Sequence, residues 1–292
     1  QPAQLAQEAL SRHISPFSKT DALYSPTREE QLAEIRKLTL DDVKKFHAAF
    51  YGASNGEIAI LGGIDRAAAQ KLAAELLGSW KSPAPYARLA ASFKRVEAVN
   101  QKIEAPDKAN AQFMAALRFQ MTDADPDYPT MLLANYMLGG GGLASRIPDR
   151  IRNREGLSYS VSTSVSIPSE GDAATFSMSA IANPGNTPKV ESCFQEELAR
   201  ALKDGFTPQE VATAKRAYLD GRMVQRASDS SLLSLVASHE QIGRGFQWDA
   251  DLETRIAGLT AEQINATLRK RIDPAAISIV KAGDFKAAGV FQ

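Results

Sequence analysis

At 292 residues the chain is long enough for two domains of about 100–200 residues each. Its 44% hydrophobic and 23% charged content excludes disordered, collagen-like and disulfide-scaffold classes, and 34 Lys plus Arg against 34 Asp plus Glu leave no broad cationic face for nucleic acid or anionic lipid. The single Cys193 excludes an internal disulfide and a multi-cysteine zinc cluster, and no apolar run approaches the roughly 20 residues of a membrane span.

The chain opens on Gln1 with no charged and then apolar leader, which reads as an interior start from which any signal peptide or earlier domain has been removed. The first organised block is Leu38-Thr39-Leu40-Asp41-Asp42-Val43, in which Thr39 serves as a helix N-cap and Asp42 completes a capping box. A helix of roughly a dozen residues follows, then Glu57-Ile58-Ala59-Ile60-Leu61, whose length and β-branched content favour a buried strand ending at Gly62-Gly63. Residues 65–80 read as a helix, and Lys81-Ser82-Pro83-Ala84-Pro85-Tyr86 as a linker. Residues 100–104 and 111–119 are expected strands, and 126–138 have helical spacing that Gly139, Gly140, Gly141 and Gly142 bring to a stop. Residues 144–153 form another helix, with Pro148 tolerated only near its first turn.

Residues 157–167 and 173–182 alternate and are rich in Ser, Val and Thr, which gives two half-buried strands joined as a hairpin across Pro168-Ser169-Glu170-Gly171-Asp172. Helices are expected over 187–203, from Thr207-Pro208-Gln209-Glu210 onward, over 228–242 and over 249–257. The stripe Val190, Phe194, Leu198, Leu202 marks a core-facing side. The chain closes on Leu259-Thr260-Ala261-Glu262-Gln263-Ile264, a helix, the run Ala276-Ile277-Ser278-Ile279-Val280 and Gly283, which repeats the Thr39 block at matched spacing with one gap.

The matched blocks point to a duplicated unit, of which roughly 120 residues of the first copy are missing. The corresponding reading takes 1–80 as the C-terminal part of a truncated first α/β unit, 81–97 as linker, and 98–292 as a complete second domain. Strands first, helices next and a final strand returning to the sheet make the class α+β. Each unit is expected to be a two-layer domain of mixed or antiparallel sheet covered by helices on one face.

One cluster carries chemistry. The run Leu143-Ala144-Ser145-Arg146-Ile147-Pro148-Asp149-Arg150-Ile151-Arg152-Asn153-Arg154-Glu155-Gly156-Leu157-Ser158-Tyr159-Ser160-Val161 sets four arginines between a glycine loop and a strand. With Ser145-Arg146-Ile147 and an arginine seven residues before Tyr159, it resembles the pitrilysin/insulinase family of zinc metallopeptidases, whose pattern is small-Arg-Leu…Leu-Arg-x-x-x-x-Gly/Leu-x-Tyr-x-Val. The resemblance extends to both Leu-Thr helices, the strands after them and the closing Gly-Asp. It implies a pseudo-twofold clamshell in which one half holds zinc and the other closes over the peptide. Arg152 and Tyr159 are similar in place to the auxiliary catalytic donors of the non-metal half, which contact substrate near the scissile carbonyl. Taken from the residues alone, Arg152 pairs with Glu155 or Asp149 and Tyr159 fills a strand face.

The family's H-x-x-E-H zinc motif has no counterpart, because His13, His47 and His239 are the three histidines and no two are four residues apart. His239-Glu240 lacks its second histidine and reads as a polar position on a helix surface. A catalytic zinc needs three protein ligands, so no metal ligands are assigned here. By the resemblance, zinc belongs to a partner half, and this chain alone should not hydrolyse peptides. Gly139 to Gly142 follow a helix and lack Gly-Lys-Ser/Thr, which excludes a phosphate-binding P-loop. Two readings remain for them: a left-handed helix end with a flexible turn, or a substrate-binding loop as in the non-catalytic subunit of mitochondrial processing peptidase, similar in glycine content alone.

The resemblance thus implies a non-catalytic, substrate-binding half whose partners are a zinc-bearing catalytic half, upstream in the same chain or separate, and a peptide substrate. No nucleic acid partner and no membrane span are implied, and the bacterial periplasm is the compartment the resemblance favours. The alternative is a non-enzymatic scaffold or assembly subunit that retains the peptidase fold.

Overall fold

Alternating apolar residues in the middle of the chain build a sheet, and capped amphipathic segments on either side supply the helices. The computed structural model describes residues 1–291. Helices α1 (Pro2–Ile14), α2 (Arg28–Ile35), α3 (Leu40–Phe50) and α4 (Arg66–Leu77) precede strands β1 (Asn100–Glu104) and β2 (Ala111–Gln120). Helix α5 (Tyr128–Asn135) and the short α6 (Arg146–Pro148) lead to the hairpin β3 (Ser158–Ser166) and β4 (Ala173–Ala182). Helices α7 (Thr187–Asp204), α8 (Pro208–Arg226), α9 (Asp229–Gln241), α10 (Phe246–Ala257) and α11 (Ala261–Arg271) then return the chain to β5 (Ser278–Gly283). Residues 1–25, 90–220 and 252–291 form one unit, and residues 26–89 and 221–251 a second.

The first unit holds a five-stranded mixed sheet in the order β1-β5-β2-β4-β3, with β1 and β5 parallel and the other neighbours antiparallel. Phe113, Ala115 and Leu117 of β2 lie opposite Ala180, Met178 and Phe176 of β4. All six are buried. On this face Phe113 meets Phe194 of α7 edge-on, with ring centroids 5.9 Å apart. Each such side chain contributes about 1.5–3 kcal/mol by leaving water, so this face organises the unit. The other face is covered in part: Ala116, Val280 and Ala282 pack against Ala6 and Leu10 of α1. Beyond α1 it turns a row of hydroxyls outward, where Ser164 meets Ser177 at 2.8 Å between their oxygens.

The two Thr blocks fold alike at their helices. Thr39 and Thr260 both close capping boxes, at φ −107°, ψ 163° and φ −107°, ψ 164°, and each begins a helix of 11 residues. Their surroundings differ. Ala261, Ile264 and Leu268 of α11 are buried, whereas Leu40, Val43 and Phe46 of α3 are exposed. Residues 57–61, expected as a strand, form none, and Ile58, Ile60 and Leu61 are exposed. The reason is pairing: the second unit contains no other strand among the described residues, and an extended run without a neighbour has no ladder to join. His239 is also corrected. It is buried in the second unit, its Nδ1 3.4 Å from Asp249 Oδ2 and its ring edge-on to Trp248.

Candidate functional site

Two π-helical turns shape the approach to β3. In the first, Tyr136–Gly140, the Gly141 N–H donates to the Tyr136 carbonyl at 2.8 Å. In the second, Asp149–Arg154, the Glu155 N–H reaches the Arg150 carbonyl at 3.1 Å. Such five-residue spacing inserts one residue relative to an α-helix and is frequent at functional sites. Ile151 stays fully buried, while Arg152, next to it, projects to the surface.

Where β3 begins, Ser158 lies opposite Ala182 and Ser160 opposite Ile181, so Tyr159 is the extra residue of a β-bulge. Ser158 holds the bulge: its hydroxyl donates to the Ile181 carbonyl at 2.5 Å and accepts from the Ser160 N–H at 3.2 Å. The consequence is that the Tyr159 ring points away from the sheet and is 90% exposed. Arg152 Nη1 donates to the Tyr159 main-chain carbonyl at 3.0 Å, which ties the guanidinium to the start of β3. The acids nearby are engaged elsewhere: Asp149 takes Arg154 at 2.7 Å, and Glu155 takes Arg150 at 3.1 Å and Lys189 at 2.5 Å. The hydrogen bond from Lys189 holds the Glu155 carboxyl below its usual range. Arg152 has no ion pair among the described residues, so of its five N–H donors several remain for a ligand.

Ser145-Arg146-Ile147 has a different task. Arg146 donates to Glu210 at 2.9 Å and to the Gly205 carbonyl at 2.8 Å, and its guanidinium lies 4.2 Å from the Phe206 ring centroid. Glu210 also accepts from the Thr207 N–H at 2.7 Å, closing the cap that starts α8. Burial alone would raise the Glu210 carboxyl, but the Thr207 and Arg146 donors outweigh it and its pKa falls below the usual value. A cavity of about 320 Å³ beside this clamp is lined by Tyr136, Gly141, Phe206 and Thr213. Sequence reasoning missed both the clamp and the bulge. The Thr207-x-x-Glu210 capping box signalled a carboxylate at this place, but the partner across 64 positions had no local signal.

Three of the four glycines lie against close neighbours that leave no room for a Cβ. A Cβ on Gly139 would lie 2.7 Å from Cγ2 and Oγ1 of Thr163, and one on Gly141 would lie 2.7 Å from the Tyr136 carbonyl oxygen. Gly142 alone takes a left-handed φ, +75°. Gly140 lies beside Asn135, whose Nδ2 would be 2.6 Å from a Cβ.

The residues present do not fit a zinc site. Among the described residues no group of three His, Cys, Asp or Glu side chains could hold a metal ion. His13 contacts the Glu97 carbonyl at 2.9 Å, His47 stacks on Tyr51, and His239 faces Asp249. No helix among the described residues is long and apolar enough to cross a membrane.

Comparison with known proteins finds relatives in sequence and in structure. The family model described as "Peptidase M16 inactive domain" matches residues 37–218. An uncharacterized zinc protease of Streptomyces coelicolor is 25% identical over 240 residues, which is 80% of this chain and 51% of the relative. A non-peptidase homolog of Helicobacter pylori is 24% identical over 237 residues, 79% of this chain and 52% of that protein. The chain therefore spans about half the length of these relatives. A crystal structure of a peptidase M16 inactive domain from Pseudomonas fluorescens superposes with a TM-score of 0.79 at 24% identity, covering 97% of this chain and 65% of that one.

Proposed function

This chain belongs to the peptidase M16 inactive-domain family, and from that premise we propose that it is the substrate-binding half of a zinc-dependent endopeptidase. It closes over a peptide held by a catalytic half and supplies donors near the scissile carbonyl. The observation that carries this reading is the exposed, bulged Tyr159 with Arg152 anchored on its carbonyl. A guanidinium anchored at the start of β3, on the main-chain carbonyl of Tyr159, and the exposed phenol of that same residue are suited to charge developing on a carbonyl oxygen, and their effect grows when domain closure excludes water. Zinc and the general base belong to the catalytic half in this reading, in the same polypeptide or a separate subunit. Gly139 to Gly142 act by shaping the loop before Arg152.

Residues 1–80 are read as the C-terminal part of a truncated first copy of the unit, 81–97 as linker, and 98–292 as a complete second copy. The twin N-caps and equal helices support this, as does the exposed apolar side of α3 set against the buried side of α11. A second reading, a scaffold without a catalytic contribution, is favoured by the Helicobacter pylori relative named as a non-peptidase homolog.

Arg152→Ala in the complete protease separates the two. The donor reading expects intact assembly and a kcat loss of about 10²–10³, the usual effect of removing one transition-state donor. An unchanged rate, or a loss explained wholly by failed assembly, supports the scaffold.

A further inference from the structure

Regular alternation would place Tyr159 on the inside of the sheet. Val161, Thr163 and Val165 lie opposite Ala180, Met178 and Phe176 of β4, which are buried on the helix-covered face. A period of two carried back from Val161 puts Tyr159 on that same face, opposite Ala182. The structure puts Ser158 there instead: it pairs with Ala182 and is 5% exposed, while Tyr159 is turned out to solvent. A small side chain has taken the place that the pleat assigns to a large one.

The Ser158 hydroxyl also stands in for a main-chain bond. Ser160 and Ile181 are opposite each other, yet the Ser160 N–H donates at 3.2 Å to Ser158 Oγ, which itself donates to the Ile181 carbonyl at 2.5 Å. The hydroxyl bridges two backbone groups that need a partner and that the ladder would otherwise have to satisfy. Because the bulge keeps Tyr159 out of the ladder, its carbonyl is left to accept from Arg152 Nη1 at 3.0 Å. Both candidate donors therefore depend on one hydroxyl.

We propose that Ser158 is a positioning residue for the reaction: its hydroxyl holds the bulge that turns the Tyr159 phenol outward and offers Arg152 its carbonyl anchor. An apolar side chain of similar size packs against Ala182 but leaves the Ser160 N–H and the Ile181 carbonyl without their bridge. Pairing these two groups directly removes the bulge, and the restored alternation carries Tyr159 to the inner face. This inference rests on the reading of Arg152 and Tyr159 as donors, and adds to it the residue that aims them.

In the complete protease, Ser158→Ala should lower kcat by at least about tenfold, a share of the roughly 10²–10³ that one donor supplies, with far less change in KM. Combined with Tyr159→Phe, its loss should fall well short of the product of the single losses, since both act through one phenol. Ser158→Thr should keep the parent rate and Ser158→Val should not, because the two differ in the hydroxyl at nearly constant shape. This pair carries the test if the alanine variant misfolds. A second readout needs no activity: in the purified chain, nitration of Tyr159 by tetranitromethane, located by mass spectrometry, should slow severalfold in Ser158→Val but not in Ser158→Thr. A parent-like kcat in Ser158→Val where Tyr159→Phe loses its rate would overturn the proposal. So would an unchanged nitration rate, or equal losses in the threonine and valine variants. If Tyr159→Phe itself keeps the parent kcat, the donor reading fails alone, and the nitration rates still decide whether Ser158 aims the ring.

Discussion

Gly139→Ala tests whether the glycine run is a packing device or a substrate contact. The new Cβ would sit 2.7 Å from Cγ2 and Oγ1 of Thr163 and 3.0 Å from its backbone nitrogen. Carbon contacts are comfortable at about 3.5–4.0 Å, so the turn and β3 must separate by most of an ångström or Thr163 must move. Thr163 has little room. It is buried, and its hydroxyl donates to Asn135 Oδ1 at 2.9 Å. Overpacking of this kind costs about 1–3 kcal/mol. Thr163→Ala removes both clashing atoms, at a cost of about 1 kcal/mol for the lost hydrogen bond. The double variant should therefore be more stable than the sum of the single changes implies, by about 1–2 kcal/mol of coupling. Urea denaturation of the four proteins, followed by circular dichroism, measures this directly. Gly139→Ala within 0.5 kcal/mol of the parent on the usual neutral-surface scale, or strict additivity with Thr163→Ala, would refute the packing argument. Unchanged stability with lost peptide affinity would return the glycines to substrate contact.

Metal analysis of the purified chain should find no stoichiometric zinc, and the chain alone should cleave no unstructured peptide; one tightly held zinc per chain would contradict the missing ligand set. Arg146→Ala should cost roughly 1–3 kcal/mol, read by urea denaturation, because it strips a partly buried carboxylate of its bidentate partner and α8 of its anchor. Arg146→Lys should recover only part of this, since a point charge cannot reproduce the fork. Acid should unfold the first unit through Asp127 and Glu210. Burial pushes the Asp127 carboxyl up, but hydrogen bonds from Lys270 and Arg271 outweigh it, so its folded pKa is depressed, as is that of Glu210. Depressed carboxylates add stability above their unfolded pKa of about 4 and lose it as pH falls through the folded values. Asp127→Asn should accordingly flatten the pH dependence of the denaturation midpoint below about pH 4, and an unchanged slope would argue against this origin.

The parts of this structure legible in the sequence are those fixed by local chemistry. Capping boxes at Thr39 and Thr260 show the side-chain bonds that their spacing implies, and the Ala173–Ala182 strand has the ends its alternation sets. The Arg152 guanidinium reaches the Tyr159 main-chain carbonyl seven residues on, a span that a helix end and a short turn cover. What stayed hidden depends on partners distant in the chain. A strand at 57–61 is a statement about a neighbour, and its composition could not reveal that none is present in its unit. The bulge at Tyr159 exists only relative to β4, and the π-turns only through which carbonyl each N–H selects. His239 reads as a polar helix position until Asp249 and Trp248 fold over it.

The most direct test of the central claim is kcat and KM for Tyr159→Phe in the complete protease. The ring is 90% exposed, so removing its hydroxyl should leave the melting temperature unchanged. If the phenol donates to the reacting carbonyl, kcat should fall by about 10²–10³ while KM changes far less. An unchanged kcat would contradict the account.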